Sequence, residues 1–171
     1  MNRDRLARYL DELRSWARRT NLVGSTEDPA LSRHVEDSLA AAPHLPEGAR
    51  VADLGSGAGF PGIPLAVARP DLQLLLVEIR ERRAHFLRHV VRTLDLPCEV
   101  GRQRIEDAPD RGFDFALLRA VAPPEASLKL AEPWVEPGGE IWLWAGPRAD
   151  APEPKAFIPL DSGGRILRFA R

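Results

Sequence analysis

"VADLGSGAGFPGIPLAVARP", residues 51–70, is the stretch from which the fold can be read. An apolar run ends at Leu54 and glycines follow at Gly55, Gly57 and Gly59. Pro61 and Pro64 then open a second apolar run that Pro70 closes. Glycine leaves the backbone without a Cβ, which a sharp turn or a closely approaching ligand requires. Proline presets φ near the value of a first helical turn. The stretch therefore reads as strand, bare turn and helix, the opening of a βαβ unit.

The pattern continues downstream. "LQLLLVE", "PCEVG", "FDFALLRA" and "EIWLWAG" are short apolar runs separated by helical stretches. That alternation predicts right-handed crossovers and a mostly parallel sheet with helices on both faces. At the end of the chain "AFIPL" and "RILRFA" flank Asp161-Ser162-Gly163-Gly164, which suits an antiparallel hairpin. Upstream, Leu6, Leu10, Leu13 and Ala17 recur at helical spacing with Tyr9 and Trp16 alongside, predicting an amphipathic helix over 3–19 with Trp16 in the core. Asp28-Pro29 offers an N-cap and a first-turn proline for a second helix that Pro43 ends. The expected fold class is α/β: a Rossmann-like, mostly parallel sheet with a C-terminal antiparallel hairpin. One domain is expected over residues 1–171, with helices of about 1–45 packing on a core of about 46–171.

The glycine loop selects among ligands. A P-loop needs Gly-Lys-Ser/Thr, whereas Gly59 is followed by Phe60-Pro61-Gly62. A dinucleotide fingerprint needs G-x-G-x-x-G, and Phe60 stands where its last glycine belongs. Asp53, two residues before the first glycine, opposes an anionic ligand centre and favours a zwitterion or sulfonium. Glu78, ending the next strand run, can accept two ribose hydroxyls. Strand, acid, G-x-G-x-G and a second strand-end acid together describe an S-adenosylmethionine pocket, with Asp53, Gly55, Gly57, Gly59 and Glu78 as its candidate residues.

Composition narrows the setting. No apolar run approaches the roughly 20 residues of a membrane span, and the charged first turns lack the apolar block of a secretory signal. A cytoplasmic protein is expected. One cysteine, Cys98, excludes an internal disulfide and a multi-cysteine metal site, and the histidines form no metal-ligand pattern, so no metal is expected. A net charge of −1 gives no global case for a nucleic-acid binder. The basic residues nevertheless cluster in "RDRLARYLDELRSWARR" and "RERRAHFLRHVVR", either as a solvated helix face or as an RNA surface. "RHVEDSL" sets His34, Asp37 and Ser38 on one helical face, which reads first as a packing or capping network and second as the wall of an acceptor pocket.

"NLVGSTEDP", "RHVEDSL", "DLGSGAGFPGIPLAVARP", "RRAHFLRHV", "GRQRIED" and "FDFALLRAVA" occur in an order and spacing that resemble the bacterial small-subunit ribosomal RNA guanine-N7 methyltransferases, also called glucose-inhibited division protein B. The chain is similar to a short version of that family. The resemblance implies a Rossmann-like methyltransferase using S-adenosyl-L-methionine and acting on a guanine N7 of 16S ribosomal RNA, as naked RNA or in the assembled small subunit. A monomer is expected. The resemblance further implies that Gly55 and Phe60 contact the cofactor, that Ile105 and Glu106 flank its adenine, and that Arg119 reaches the cofactor or the target guanine. Arg104 and Arg119 are the candidates for holding RNA and serving catalysis.

Guanine N7 carries an in-plane lone pair and no proton, so such chemistry needs alignment and charge placement rather than a general base. Two positions depart from the family pattern: Leu118 stands where a serine usually precedes the strand-end arginine, and Ala145 where a lysine usually precedes a glycine. Arg165, before the last strand, can compensate on the RNA side. These departures keep open a non-catalytic RNA or ribosome-assembly binder on the same fold. A nicotinamide-dependent oxidoreductase is the remaining alternative, which the Phe60 spacing opposes.

Overall fold

β1 (Arg50–Leu54) is buried from its second residue on and lies inside the sheet between β2 (Gln73–Val77) and β4 (Phe113–Arg119). The computed structural model describes residues 3–109 and 112–171. β3 (Cys98–Gly101), β5 (Val135–Ala145), β6 (Ala156–Pro159) and β7 (Arg165–Ala170) complete a seven-stranded sheet in the order β3-β2-β1-β4-β5-β7-β6. β1 to β5 run parallel, and β7 pairs antiparallel with both β5 and β6. The expected α/β architecture and terminal hairpin are therefore the ones found. Chain order reverses between β1 and β4, and outside the carboxyl ends of these two strands lies the switch point where open α/β sheets place ligands.

Helices cover both faces. α1 (Arg3–Ala17) buries Leu6, Tyr9 and Leu13, one stripe at spacings of three and four. Its Trp16 ring packs at 5.5, 5.6 and 5.3 Å from the rings of His85, Phe86 and His89 on α4 (Glu81–Thr93). α3 (Gly62–Ala68) is buried in every residue but its last, an apolar helix enclosed between the sheet and α1 and α2. α5 (Pro124–Ala131) lies on the opposite face with the buried Trp134. The core accordingly divides into a layer with Leu13, Leu31, Ile63 and Phe86 and a layer with Leu54, Leu118, Trp134 and Leu143.

α2 (Ala30–Leu39) is shorter than expected and gives way to a 3₁₀ turn over Ala42–His44 that contains Pro43. Asp28 does not cap it, because its carboxylate accepts from Ser32 Oγ at 3.0 Å and from Arg14 Nη2 of α1 at 3.0 Å. Among the described residues no helix is long and apolar enough to cross a membrane.

One polar cluster is walled into the antiparallel side. Glu140 of β5 accepts two bonds from Arg168 of β7, Nε at 2.9 Å and Nη2 at 3.1 Å, and further bonds from Trp142 Nε1 at 2.8 Å and Lys155 Nζ at 3.1 Å. The Arg168 guanidinium also lies 5.0 Å from the Trp142 ring centroid. Burial acts against the Glu140 charge, but these donors outweigh it and hold the carboxyl at about 2.

Candidate active site

The loop after β1 is shaped by its glycines and tied to β2. Gly55, Gly57 and Gly59 hold φ of +74°, +58° and +103°, in the region where L side chains are strained. The amides of Gly55 and Ser56 both donate to the Val77 carbonyl at 2.9 Å. Glu78, 5 % exposed, accepts from the Gly57 amide at 3.1 Å and the Arg80 amide at 2.7 Å. The strand-end acid thus staples the loop to β2, so any ribose hydroxyl would share oxygens already holding the backbone.

The glycines do different work. A Cβ on Gly57 would lie in ordinary contact with Arg83 Nη1 and the Gly55 carbonyl, each at 3.7 Å, so this position has room for one but for its positive φ. One on Gly55 would lie 2.9 Å from Val121 Cγ2 and 3.7 Å from Ile105 Cδ1. On Gly59 it would strike Ile63 at 2.6 Å, and on Gly62 it would run into Leu76 and the Asp53 carboxylate. Gly59 is therefore bare so that the loop can pack on α1 and α3, and it does not line the cleft described below. Gly62 is bare for the same reason.

Asp53 is also placed differently from expectation. It is 1 % exposed beneath the loop, its Oδ2 accepts from the Gly62 amide at 3.1 Å, and its Oδ1 has no hydrogen-bond partner. Burial pushes its carboxyl up to about 7, against the Gly62 amide and the Arg119 charge. A ligand ammonium would feel this group through the loop rather than touch it. Tyr9, fully buried, reaches over from α1 to donate its hydroxyl to the Ala58 carbonyl at 2.9 Å and packs edge-on to Phe60 at 5.5 Å.

Arg119 ends β4 opposite this loop, where Ala120 turns the chain with φ of +55°. Its Nη2 donates to His34 Nδ1 at 2.7 Å and, at 3.4 Å, to Asp37 Oδ2, while Nη1 donates to the His34 carbonyl at 3.3 Å. The guanidinium sits 5.9 Å from the Phe60 ring centroid. Burial lowers the Arg119 pKa, with Asp37 opposing, and burial together with the Arg119 charge lowers that of His34. A cleft of about 230 Å³ opens between these groups, walled by His34, Gly55, Gly57, Phe60, Arg83 and Arg119. His34 thus lines the site as well as packing α2, although the packing reading came first. Arg83, grouped with the basic helix face in the sequence, donates to the Asn21 carbonyl at 3.0 Å and forms part of the wall. The positional signal was its place in the first turn of the helix that follows the strand-end acid.

The remaining candidates lie apart. Ile105 reaches over Gly55, and its carbonyl accepts from Trp134 Nε1 at 2.6 Å. Arg104 and Glu106 are exposed, 3.8 Å from one another, and neither lines the cleft. Arg104 therefore does not share the cleft with Arg119. Leu118 is buried in the core layer on the α5 side, so that departure from the family pattern does not alter the cleft. Arg165 is half-buried at the start of β7 beside Ala145, its Nε without a partner. Among the described residues no group of three His, Cys, Asp or Glu is arranged to hold a metal ion.

A parallel Rossmann-like sheet, a bare loop after β1 and an acid after β2 define the class: the chain has the fold of the S-adenosylmethionine-dependent methyltransferases. Solved structures of that fold superimpose. An RNA methyltransferase from Salinibacter ruber in complex with S-adenosyl-L-homocysteine aligns with a TM-score of 0.62 at 20% identity, over 85% of this chain and 92% of that one. The structure of MtNAS in complex with MTA and tNA aligns with a TM-score of 0.67 at 17% identity, over 95% and 70%. Sequence is more specific. Residues 2–153 match the family described as rRNA small subunit methyltransferase G, and the chain belongs to that family. It is 41% identical over 152 residues to the ribosomal RNA small subunit methyltransferase G of Desulfotalea psychrophila, covering 85% of this chain and 70% of the relative. With that of Hyphomonas neptunium it shares 40% over 147 residues, covering 81% and 71%, and with that of Frankia casuarinae 43% over 149 residues, covering 83% and 56%.

Proposed function

We propose that the chain, acting as one domain over residues 1–171, transfers the methyl group of S-adenosylmethionine to N7 of a guanine in small-subunit ribosomal RNA. The observation that carries this reading is the single cleft in which the bare Gly55–Gly57 backbone faces Arg119 and His34, in a chain of the small-subunit rRNA methyltransferase family. The residues fit the cofactor: Gly57 leaves room where a Cβ would project, Glu78 offers second lone pairs, and Ile105 offers an apolar wall. Bound there, the cofactor supplies an electrophilic sulfonium methyl group. The chain's own work is to hold the base edge against that group. Arg119 places positive charge beside the guanine edge, Phe60 supplies an apolar ring against which the cation rests, and no proton has to leave N7.

The RNA path is supported by connected depressions. One of about 510 Å³ lies among Trp16, Arg18, Arg19, Arg82 and His85. It shares His85 with a trough lined by Arg88, Arg92 and Arg102, and shares Arg18 and Arg19 with a hollow that runs through Val23 and Gly24 to the cleft. Arginines follow this route, which suits a phosphate backbone leading its base to Arg119. The same reading has the protein working as a monomer in the cytoplasm, without a metal. The test is radiolabelled methyl transfer to naked 16S RNA and to small subunits from cells lacking the modification, with the product mapped by reduction and aniline cleavage. Transfer to a guanine N7 that falls steeply with added salt is expected. A methyl group on another atom, or salt-insensitive RNA binding without transfer, overturns the reading in favour of a different acceptor or of a binding protein.

A further inference from the structure

We infer that His34 selects guanine over adenine by donating its Nε2–H to the base's O6, an inference that rests on the guanine reading above. The tautomer follows from the partner. A guanidinium has only donors, so the 2.7 Å contact from Arg119 Nη2 makes His34 Nδ1 an acceptor and leaves the ring proton on Nε2. Burial and the Arg119 charge keep the ring neutral, so this single-donor form is the one present at neutral pH.

The ring is also fixed in direction. It is clasped by Arg119 on one side and lies 5.3 Å from the Phe60 ring, tilted by 51°. Nε2 has no hydrogen-bond partner among the described residues, and the ring forms part of the cleft wall. Arg119, by contrast, already directs both terminal nitrogens to His34 and Asp37. These bonds use three of the five guanidinium N–H groups, whereas His34 offers one directed donor, its Nε2–H, on a ring fixed by the contact at Nδ1.

That donor matches the chemistry of the edge. Guanine shows O6 beside N7, both acceptors, whereas adenine shows an N6 amino donor beside N7. An N–H aimed at O6 leaves the N7 lone pair clear for attack, and the same N–H faces the amino donor of adenine with no bond to form. His34 is thus a specificity-determining residue that touches substrate, and its other nitrogen is a prop for Arg119.

The two roles separate by substitution. Asn at this position retains an acceptor near Nδ1 and loses the Nε2 donor, and Gln retains an N–H near Nε2 and loses the Nδ1 acceptor. Small-subunit RNA is prepared with guanine or 2,6-diaminopurine at the mapped target, which exchanges O6 for an amino group and keeps N7. The unchanged protein is expected to prefer guanine by about 100-fold in kcat/KM. His34→Gln is expected to keep most of that preference at a lower rate, and His34→Asn to reduce it to about tenfold or less. S-adenosylmethionine titration calorimetry on each variant verifies a folded cofactor pocket. Full preference in folded His34→Asn overturns the proposal and makes the ring only a support for Arg119. Equal rates on the two bases by the unchanged protein overturn it without any variant. No transfer at all by the unchanged protein overturns the guanine reading first, and this inference with it.

Discussion

Glu140 and Asp53 are carboxylates walled into the same sheet, at 9 % and 1 % exposure, and they are treated in opposite ways. Glu140 has a bidentate arginine, an indole N–H and a lysine, so its charge is matched and its carboxyl held at about 2. Asp53 has one backbone amide and an orphaned oxygen, so burial wins and its carboxyl rises to about 7. Their arginines differ in step. Arg168 faces its acid squarely, while Arg119 meets Asp37 only at 3.4 Å and gives its short contact to a neutral imidazole. Matched charge makes a rigid edge that carries structure. Mismatched charge at the strand ends leaves electrostatic demand for a ligand to satisfy.

The largest effect that would sharpen this contrast lies at the site. Arg119→Leu is expected to lower single-turnover methyl transfer per folded molecule by about 10³-fold, and to cost about 2 kcal/mol of unfolding free energy because the buried Asp37 loses its cation. Rapid-quench kinetics with parallel urea melts check both, and a near-normal rate would move the acceptor pocket away from β4. At the edge the effects should reverse. Arg168→Leu removes two of the four bonds to the Glu140 carboxylate and is expected to cost about 3 kcal/mol of stability, leaving turnover per folded molecule unchanged. A loss of activity without a loss of stability in that variant would break the comparison.

A smaller effect is expected in the pH dependence, with opposite signs. Glu140 has a depressed folded pKa, so its contribution is present above the unfolded value of 4.5 and is lost as pH falls toward 2. Asp53 has a raised folded pKa, so its contribution is present below the unfolded value of 3.8 and is lost as pH rises through 7. The Glu140 share is expected to amount to about 2 kcal/mol, discounted for the exposure of Lys155. Urea melts across pH 2.5–8 should lose the lower slope in Glu140→Gln and the upper slope in Asp53→Asn.

Local pattern carried much of this molecule into view. The β1–loop–α3 passage, the strands with period-2 or fully apolar runs and the terminal hairpin were legible, because each depends on residues close in sequence. The division of labour within the loop was not. Gly55, Gly57, Gly59 and Gly62 look alike on paper, and only the approach of Ile63, Leu76 and Asp53 shows which of them clear space for packing. Asp28 resembled a cap until Arg14 reached it from another helix. Arg104 and Arg119 both read as candidates for holding RNA, and the loop after β3 carries the first to the surface. Helical spacing put His34 and Asp37 on one face. It could not say that the face meets Arg119, since that contact joins residues 85 apart.

That separation has a consequence for how the protein comes into being. During synthesis the first two helices emerge early with nothing to close upon: Tyr9 awaits Ala58, His34 awaits Arg119, and Asp37 awaits Trp144, 107 residues later. Contacts of such span are made late, after long stretches of chain have been gathered in. The acceptor wall is therefore completed only when β4 and β5 have joined the sheet. A nascent chain released before Arg119 carries the glycine loop but not the cation opposite it, and the cleft wall stays open on that side.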